Sequence, residues 1–229
     1  MNITWFGQSC FQIITQKGRD SSVKIVIDPF QDSIGLNMPK LESDILLFTN
    51  KYYDASKIKT RDYFLIDEPG EYDIKDVFVQ GISIEAKEKE IRQLAEKNEA
   101  TNIYIIEAEG IRICHLGSIK EKELKNGQLE KIGSVDILMV PVGEDSQSSS
   151  KIVSQIEPRI VIPMSYYLPK LKVKLRKVDD FLKVIGGKAI EPQNKLSIKR
   201  KDLPIVIIIT NLHPGPIFAL AYSLKKSKT

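Results

Sequence analysis

Histidine is nearly absent from this chain: His115 and His213 are the only two in 229 residues. A zinc site in a hydrolase needs about three or four good protein ligands, so two histidines this far apart exclude an imidazole cluster. Cysteine is equally scarce, with Cys10 and Cys114 alone. That argues against a disulfide framework and fits reduced thiols in a cytoplasm. No Pro/Gly/Ser-rich linker or long charge run divides the chain, and neither an internal repeat nor a low-complexity tract appears. The start, Met1 to Ile13, lacks the basic segment and apolar core of a signal peptide. A net charge of +4 is too mild to select a nucleic-acid partner.

What is present, 42% hydrophobic and 28% charged residues, is the balance of an ordinary globular protein, read here as one domain over residues 1–229. Leu203 to Leu224 carries no Asp, Glu, Lys or Arg, which approaches the roughly 20 apolar residues that span a bilayer. His213-Pro214-Gly215-Pro216 interrupts it, so two strands around a turn are expected rather than a membrane helix.

Alternation and β-branched content predict strands over Asn2–Phe6, Cys10–Thr15, Val23–Asp28, Ile45–Thr49, Tyr63–Ile66 and Val77–Ile84, a meander-like sheet punctuated by Gly7, Gly18 and Pro69-Gly70. Ala86–Asn98 changes to helical spacing, with Glu88 and Arg92 one turn apart. Strands resume at Asn102–Glu107 and Ile111–His115. A helical region around Ile119–Ile132 precedes apolar runs at Val135–Val142 and Arg159–Met164. Between those runs, Ser149–Glu157 reads as a short helix with a serine N-cap. Lys177–Ile185 reads as another, ended by Gly186-Gly187. Strands followed by strand–helix alternation predict a layered α/β protein.

Several segments, in order, resemble the small metallo-β-lactamase-fold hydrolases of bacteria and archaea, the branch that contains the ascorbate-phosphate lactonase-like proteins. They are Ile3-Thr4-Trp5-Phe6-Gly7-Gln8-Ser9-Cys10-Phe11, Ile25-Val26-Ile27-Asp28-Pro29-Phe30, Pro69-Gly70-Glu71-Tyr72, Ile113-Cys114-His115-Leu116-Gly117, Val140-Pro141-Val142-Gly143 and Ile160-Val161-Ile162-Pro163-Met164. The likeness runs from residue 1 to about 203, with 204–229 left as a C-terminal strand or hairpin and a basic tail. It implies a four-layer α/β/β/α sandwich with a zinc site where loops meet at the sheet edges. In the active family the first ligands come from Thr-His-x-His-x-Asp-His, which matches Thr49 to Ala55 here: Asn50, Tyr52 and Ala55 stand at histidine positions and only Asp54 keeps its type. Gln8 also stands at a histidine position. The bridging Asp falls on Ser118, a later His on Ser165 and another around Ala86. Neutral Asn, Tyr and Ser do not replace imidazoles on zinc. The family's zinc is therefore not expected in this chain, nor is the metal-activated hydroxide it generates.

Among the remaining chemistry-bearing residues, Asp54 and His115 are the candidate catalytic pair, as a residual acid and base. Each also has a structural reading: Asp54 as the cap of the turn after it, His115 as a hydrogen-bonded core histidine. Ser118 could join them as a nucleophile, but no Gly-x-Ser-x-Gly elbow surrounds it. Cys10 is either a nucleophile or a small buried hydrophobe. Tyr52, Tyr53, Tyr166 and Tyr167 fall on loops that the resemblance aims at the former site, as plugs or as a ligand pocket. Lys170, Lys172, Lys174, Arg176 and Lys177 alternate with apolar residues as a basic strand would, either facing phosphates or solvated.

The leading expectation is a metal-free, catalytically inactive member of the superfamily that binds a partner protein, a small-molecule ligand or a second copy of itself. The alternative is a hydrolase of lactones, esters or phosphoesters with a residual non-metal site in the same cleft. A nucleic-acid binder is the third reading. Neither nucleic acid nor membrane is the expected partner.

Overall fold

A computed structural model describes residues 1–18, 21–84, 101–186 and 195–203, together with the backbone of two strands at 207–211 and 217–221. The helix expected over 86–98, the Ala86 position and His213 lie outside the described residues.

Two mixed sheets form the centre. The first is built by β1 (Asn2–Gly7), β2 (Cys10–Lys17) and β3 (Ser21–Ile27), paired antiparallel, followed in parallel by β4 (Ile45–Leu47) and β5 (Phe64–Ile66). A two-residue strand, Leu196–Ser197, closes the other edge against β1. The second sheet has eight strands. β6 (Gly70–Ile74), β7 (Val77–Ile84), β8 (Thr101–Ala108) and β9 (Ile111–His115) run antiparallel. β10 (Ile137–Pro141) and β11 (Ile160–Met164) then continue in parallel from β9. Beyond β11 come Ile207–Asn211, parallel to it, and Ile217–Ala221, antiparallel. With Leu196–Ser197 as β12, these last two are β13 and β14. No helix among the described residues is long and apolar enough to cross a membrane.

Helices α1 (Asn126–Ile132), α2 (Ser146–Ile156) and α3 (Val178–Ile185) complete the fold; α2 packs on β10 and on α3. Two mixed sheets flanked by helices are the α/β metallo-β-lactamase-like sandwich that the resemblance implies. The sheets meet through an apolar core. β10 and β11 are buried along nearly their whole length, as parallel strands covered on both faces must be. Polar ties cross the same interface: the fully buried Tyr104 of β8 donates its hydroxyl to the carbonyls of Phe48 and Ile66 at 2.9 and 3.1 Å.

Four local expectations need correction. The first third does not make one meander, because the chain leaves the first sheet after β5, and β6 and β7 belong to the second. β6 starts within the Pro69-Gly70 punctuation and carries no strand expectation of its own, since those two residues hide the alternation that starts at Glu71. α2 begins at Ser146 rather than Ser149: Asp145 caps it, its carboxylate accepting from the amides of Gln147 and Ser148 at 3.1 and 3.2 Å. Ser149 instead turns its hydroxyl back onto the Pro141 carbonyl at 2.6 Å. The helical stretch expected from Ile119 starts only at Asn126, because Gln155 clamps Leu124 through both its amide and its carbonyl. Lys170–Lys177 is an exposed loop and not a strand; its backbone is tied to Ile34 and Gly143 instead of to a sheet.

Asp136, just before β10, joins three segments. It accepts from the Arg112 amide at 2.9 Å and from Arg200 Nη1 at 2.6 Å, with Arg159 Nε at 3.6 Å. The carboxylate is nearly buried while both partner arginines are about half exposed, so solvent discounts the ion pairs and the amide bond carries most of the effect. Asp136→Ala is expected to cost about 2 kcal/mol, read as a lower urea midpoint.

Candidate functional site

The cleft forms where the loops after β1, β4, β9, β10 and β11 meet. Main-chain bonds stitch these loops together: Ser165 N donates to Gln8 O at 3.2 Å, Gly143 N to Ser165 O at 3.1 Å, Arg176 N to Gly143 O at 2.8 Å and Tyr167 N to Arg176 O at 2.8 Å. Gln8 and Ser165 both hold left-handed backbones, with φ of 48° and 51°, a conformation that costs non-glycine residues about 1 kcal/mol or more and persists only where the surroundings enforce it. A cavity of about 190 Å³ lies at this junction, with Gln8, Tyr53, Ser118 and Ser165 on its polar side and Val140 and Val173 among its apolar lining.

The positions that match the family's metal ligands bond to one another. Asn50 Nδ2 donates to Ser118 Oγ at 3.0 Å, and Asn50 Oδ1 accepts from the Tyr52 amide at 2.9 Å. Ser165 Oγ pairs with Ser9 Oγ at 3.0 Å. Tyr52 sends its ring into solvent, and Ala55 brings no donor side chain. Asp54 caps the single turn Ala55–Lys57, accepting from Ser56 N at 2.6 Å and from Gln31 Nε2 at 3.0 Å. The bonds from Ser56 and then from Gln31 hold its carboxyl below the usual aspartate range. Among the described residues no three His, Cys, Asp or Glu side chains gather in a metal-binding group. Neutral amide and hydroxyl donors that already satisfy each other do not fit a zinc ion.

Beneath them lies Asp28, fully buried at the end of β3. It accepts from the Thr49 amide at 2.8 Å and the Thr49 hydroxyl at 2.7 Å. Burial raises its carboxyl well above the ordinary aspartate value, while the Thr49 bonds and Tyr53 pull the other way. The Tyr53 hydroxyl reaches into this group from the cavity wall. Burial first and the nearby Asp28 second push its pKa up, opposed by Ser9, Thr49 and Asn50. Tyr53 therefore stands in the cavity wall beside these positions as a neutral phenol.

His115 is fully buried at the end of β9. The Gly117 amide donates to its Nδ1 at 3.1 Å, so Nε2 carries the hydrogen and donates to the Ser9 carbonyl at 3.0 Å. Gly117 turns at φ 59°, and a Cβ there would lie 2.8 Å from Thr49 Cβ; only glycine fits. Burial lowers the His115 pKa to about 4. Both ring nitrogens are engaged with backbone, and none of the hydrogen bonds of the described residues joins His115 to Asp54 or to Ser118. Cys10 is buried, and burial followed by Asp28 raises its thiol well above its usual value, the state of an unreactive thiol.

The four tyrosines separate. Tyr53 lines the cavity, Tyr166 is fully buried 5.0 Å from the Trp5 ring, and Tyr52 and Tyr167 are exposed. In the sequence Asp28 belongs to a framework segment, and no local pattern distinguishes Ser9 or Thr49 from their neighbours. The available signal was a carboxylate placed directly after the apolar run Val26-Ile27.

Residues 2–165, well over half of the chain, match the β-lactamase superfamily domain, and the chain belongs to that family. Among its relatives, a UPF0173 protein of Pyrococcus abyssi is 30% identical over 188 residues, 72% of this chain and 83% of that protein. A UPF0173 metal-dependent hydrolase of Thermococcus onnurineus is 26% identical over 222 residues, 82% of this chain and 94% of its own. The crystal structure of a Thermotoga maritima protein, assigned as a Zn-dependent hydrolase of the metallo-β-lactamase superfamily, superposes with a TM-score of 0.75 at 26% identity, covering 93% of this chain and 99% of the other.

Proposed function

We propose that this protein is a non-catalytic member of the metallo-β-lactamase superfamily that holds no zinc and acts by binding. The observation that carries this reading is the chemistry of the matching positions, neutral amide and hydroxyl groups engaged in two hydrogen-bonded pairs, Asn50 with Ser118 and Ser165 with Ser9, with the Tyr53 phenol beside them. Relatives bear the name of metal-dependent hydrolases. The residues at the matching positions here supply one carboxylate, and that carboxylate is committed to a cap. The buried thiols of Cys10 and Cys114 fit a reducing compartment, and we place the protein in the cytoplasm.

The test is metal content after purification in zinc-supplemented buffer, read beside hydrolysis of lactone, ester and phosphodiester substrates. The expected result is below about 0.1 zinc per chain, since the described residues hold no three-ligand set, with hydrolysis at the buffer rate. Stoichiometric zinc together with turnover would overturn the proposal.

A further inference from the structure

The described residues leave five large apolar side chains exposed, by 41% to 69%: Tyr52, Phe64, Leu65, Tyr167 and Val173. Single exposed apolar residues are ordinary, but these fall in two groups. Phe64 and Leu65 lie on β5, the outer strand of the first sheet, and the Phe64 ring sits 6.3 Å from that of Tyr72 on β6, the outer strand of the second. Both sheets thus end side by side, with outer edges that no described strand covers. Proteins ordinarily cover or charge such edges. Here the charge is of one sign: residues 61–73 carry Asp62, Asp67, Glu68, Glu71 and Asp73 against Arg61 alone. All five carboxylates are on exposed residues, and none forms an ion pair with a described residue.

The other three mark the mouth of the cleft. Val173 lines the cavity, Tyr167 shares its loop, and Tyr52 hydrogen-bonds through its amide to Asn50. This loop carries Lys170, Lys172, Lys174, Arg176 and Lys177 and no acid between them. All five residues are exposed, and none forms an ion pair with a described residue. The exposed apolar surface is therefore divided between an acidic patch and a basic loop, the latter set over a cavity whose lining also includes Glu121, Glu144 and Asp145. Each repels a copy of itself and is electrostatically matched to the other, and apolar centres inside charged rims are the anatomy of protein interfaces.

We propose that the protein associates with a second copy of itself, the acidic β5–β6 edge of one chain docking on the basic cleft-mouth loop of the other. A twofold arrangement makes this contact twice, since each patch then meets its opposite on the partner. Val173 belongs to both the loop and the cavity wall, so the docked edge lies over the cleft. The inference rests on the binding reading above by naming its partner, yet mass and zinc content are separate measurements and the two fail separately.

The experiment is sedimentation equilibrium of the full chain at low and at high salt. The wild type should associate and weaken with salt. Lys172→Glu with Lys174→Glu, and separately Glu71→Lys with Asp73→Lys, should each weaken association by about tenfold or more, because like charges then face each other. An equimolar mixture of the two variants should regain it, since each edge again meets an oppositely charged loop. Phe64→Ser should weaken association with no change in charge. A wild type that stays monomeric at low salt would sink the proposal, as would a mixture that associates no better than either variant alone or a charge-reversed variant that dimerises as wild type.

Discussion

Asp28→Ala is expected to lower the stability of the fold by about 4 kcal/mol, among the largest effects available to a single substitution. Three losses combine. The Thr49 amide and hydroxyl, both buried, lose their acceptor, and an unsatisfied buried donor costs about 1–3 kcal/mol. Asp28 also holds φ at 49°, a left-handed backbone that Asp and Asn tolerate and alanine does not. The removed carboxyl leaves space beside Tyr53. Asp28→Asn keeps the backbone preference and one acceptor oxygen, so it should cost about half as much. Urea titrations followed by far-UV circular dichroism would measure both. Equal midpoints for Asp28→Ala and wild type would show that the group is not a structural keystone.

The second large effect is a pH dependence that belongs to His115. Its folded-state pKa is about 4 against an ordinary 6.5. Below pH 6.5 the unfolded chain binds a proton at this residue that the folded chain does not, so stability is lost as pH falls and the loss levels off near pH 4. The size is about 3 kcal/mol at 1.36 kcal/mol per unit. Asp28 works in the opposite sense, since its raised pKa favours the fold at low pH and withdraws that favour as pH rises. A comparison with His115→Gln separates the two, because glutamine can still donate and accept without titrating. Between pH 7 and pH 4 the wild type should lose about 3 kcal/mol more than the variant. Parallel stability curves would show that His115 titrates as it does in water.

How much of this was legible beforehand depended on how local each cause is. Val77–Ile84 and Ile111–His115 were bounded correctly because alternation and apolar runs are properties of the strand itself. The start of α2 is hard to place because Asp145 and four serines, Ser146 and Ser148 to Ser150, all offer caps, and Ser149 is taken by a carbonyl eight residues earlier that no local pattern reveals. Lys170–Lys177 alternates as a strand does, yet with no sheet edge to join it is held as a loop. The positions that match the family's ligand motif are recognisable from Thr49–Ala55. The pairing of Asn50 with Ser118, and of Ser9 with Ser165, spans 68 and 156 residues, and only the folded chain brings those partners together.

The main-chain share of the stitching between the cleft loops has a consequence for how such a site can change over evolutionary time. Since Gln8, Ser165, Tyr167 and Arg176 are held through amides and carbonyls, those walls keep their spacing without depending on the side chains they carry, whereas Gly143 must stay glycine because a Cβ there would lie 2.3 Å from the Ser165 carbonyl oxygen. A lineage could exchange coordinating residues for neutral ones step by step without dissolving the scaffold, and the same independence makes this cleft a ready receptacle for grafting histidines back.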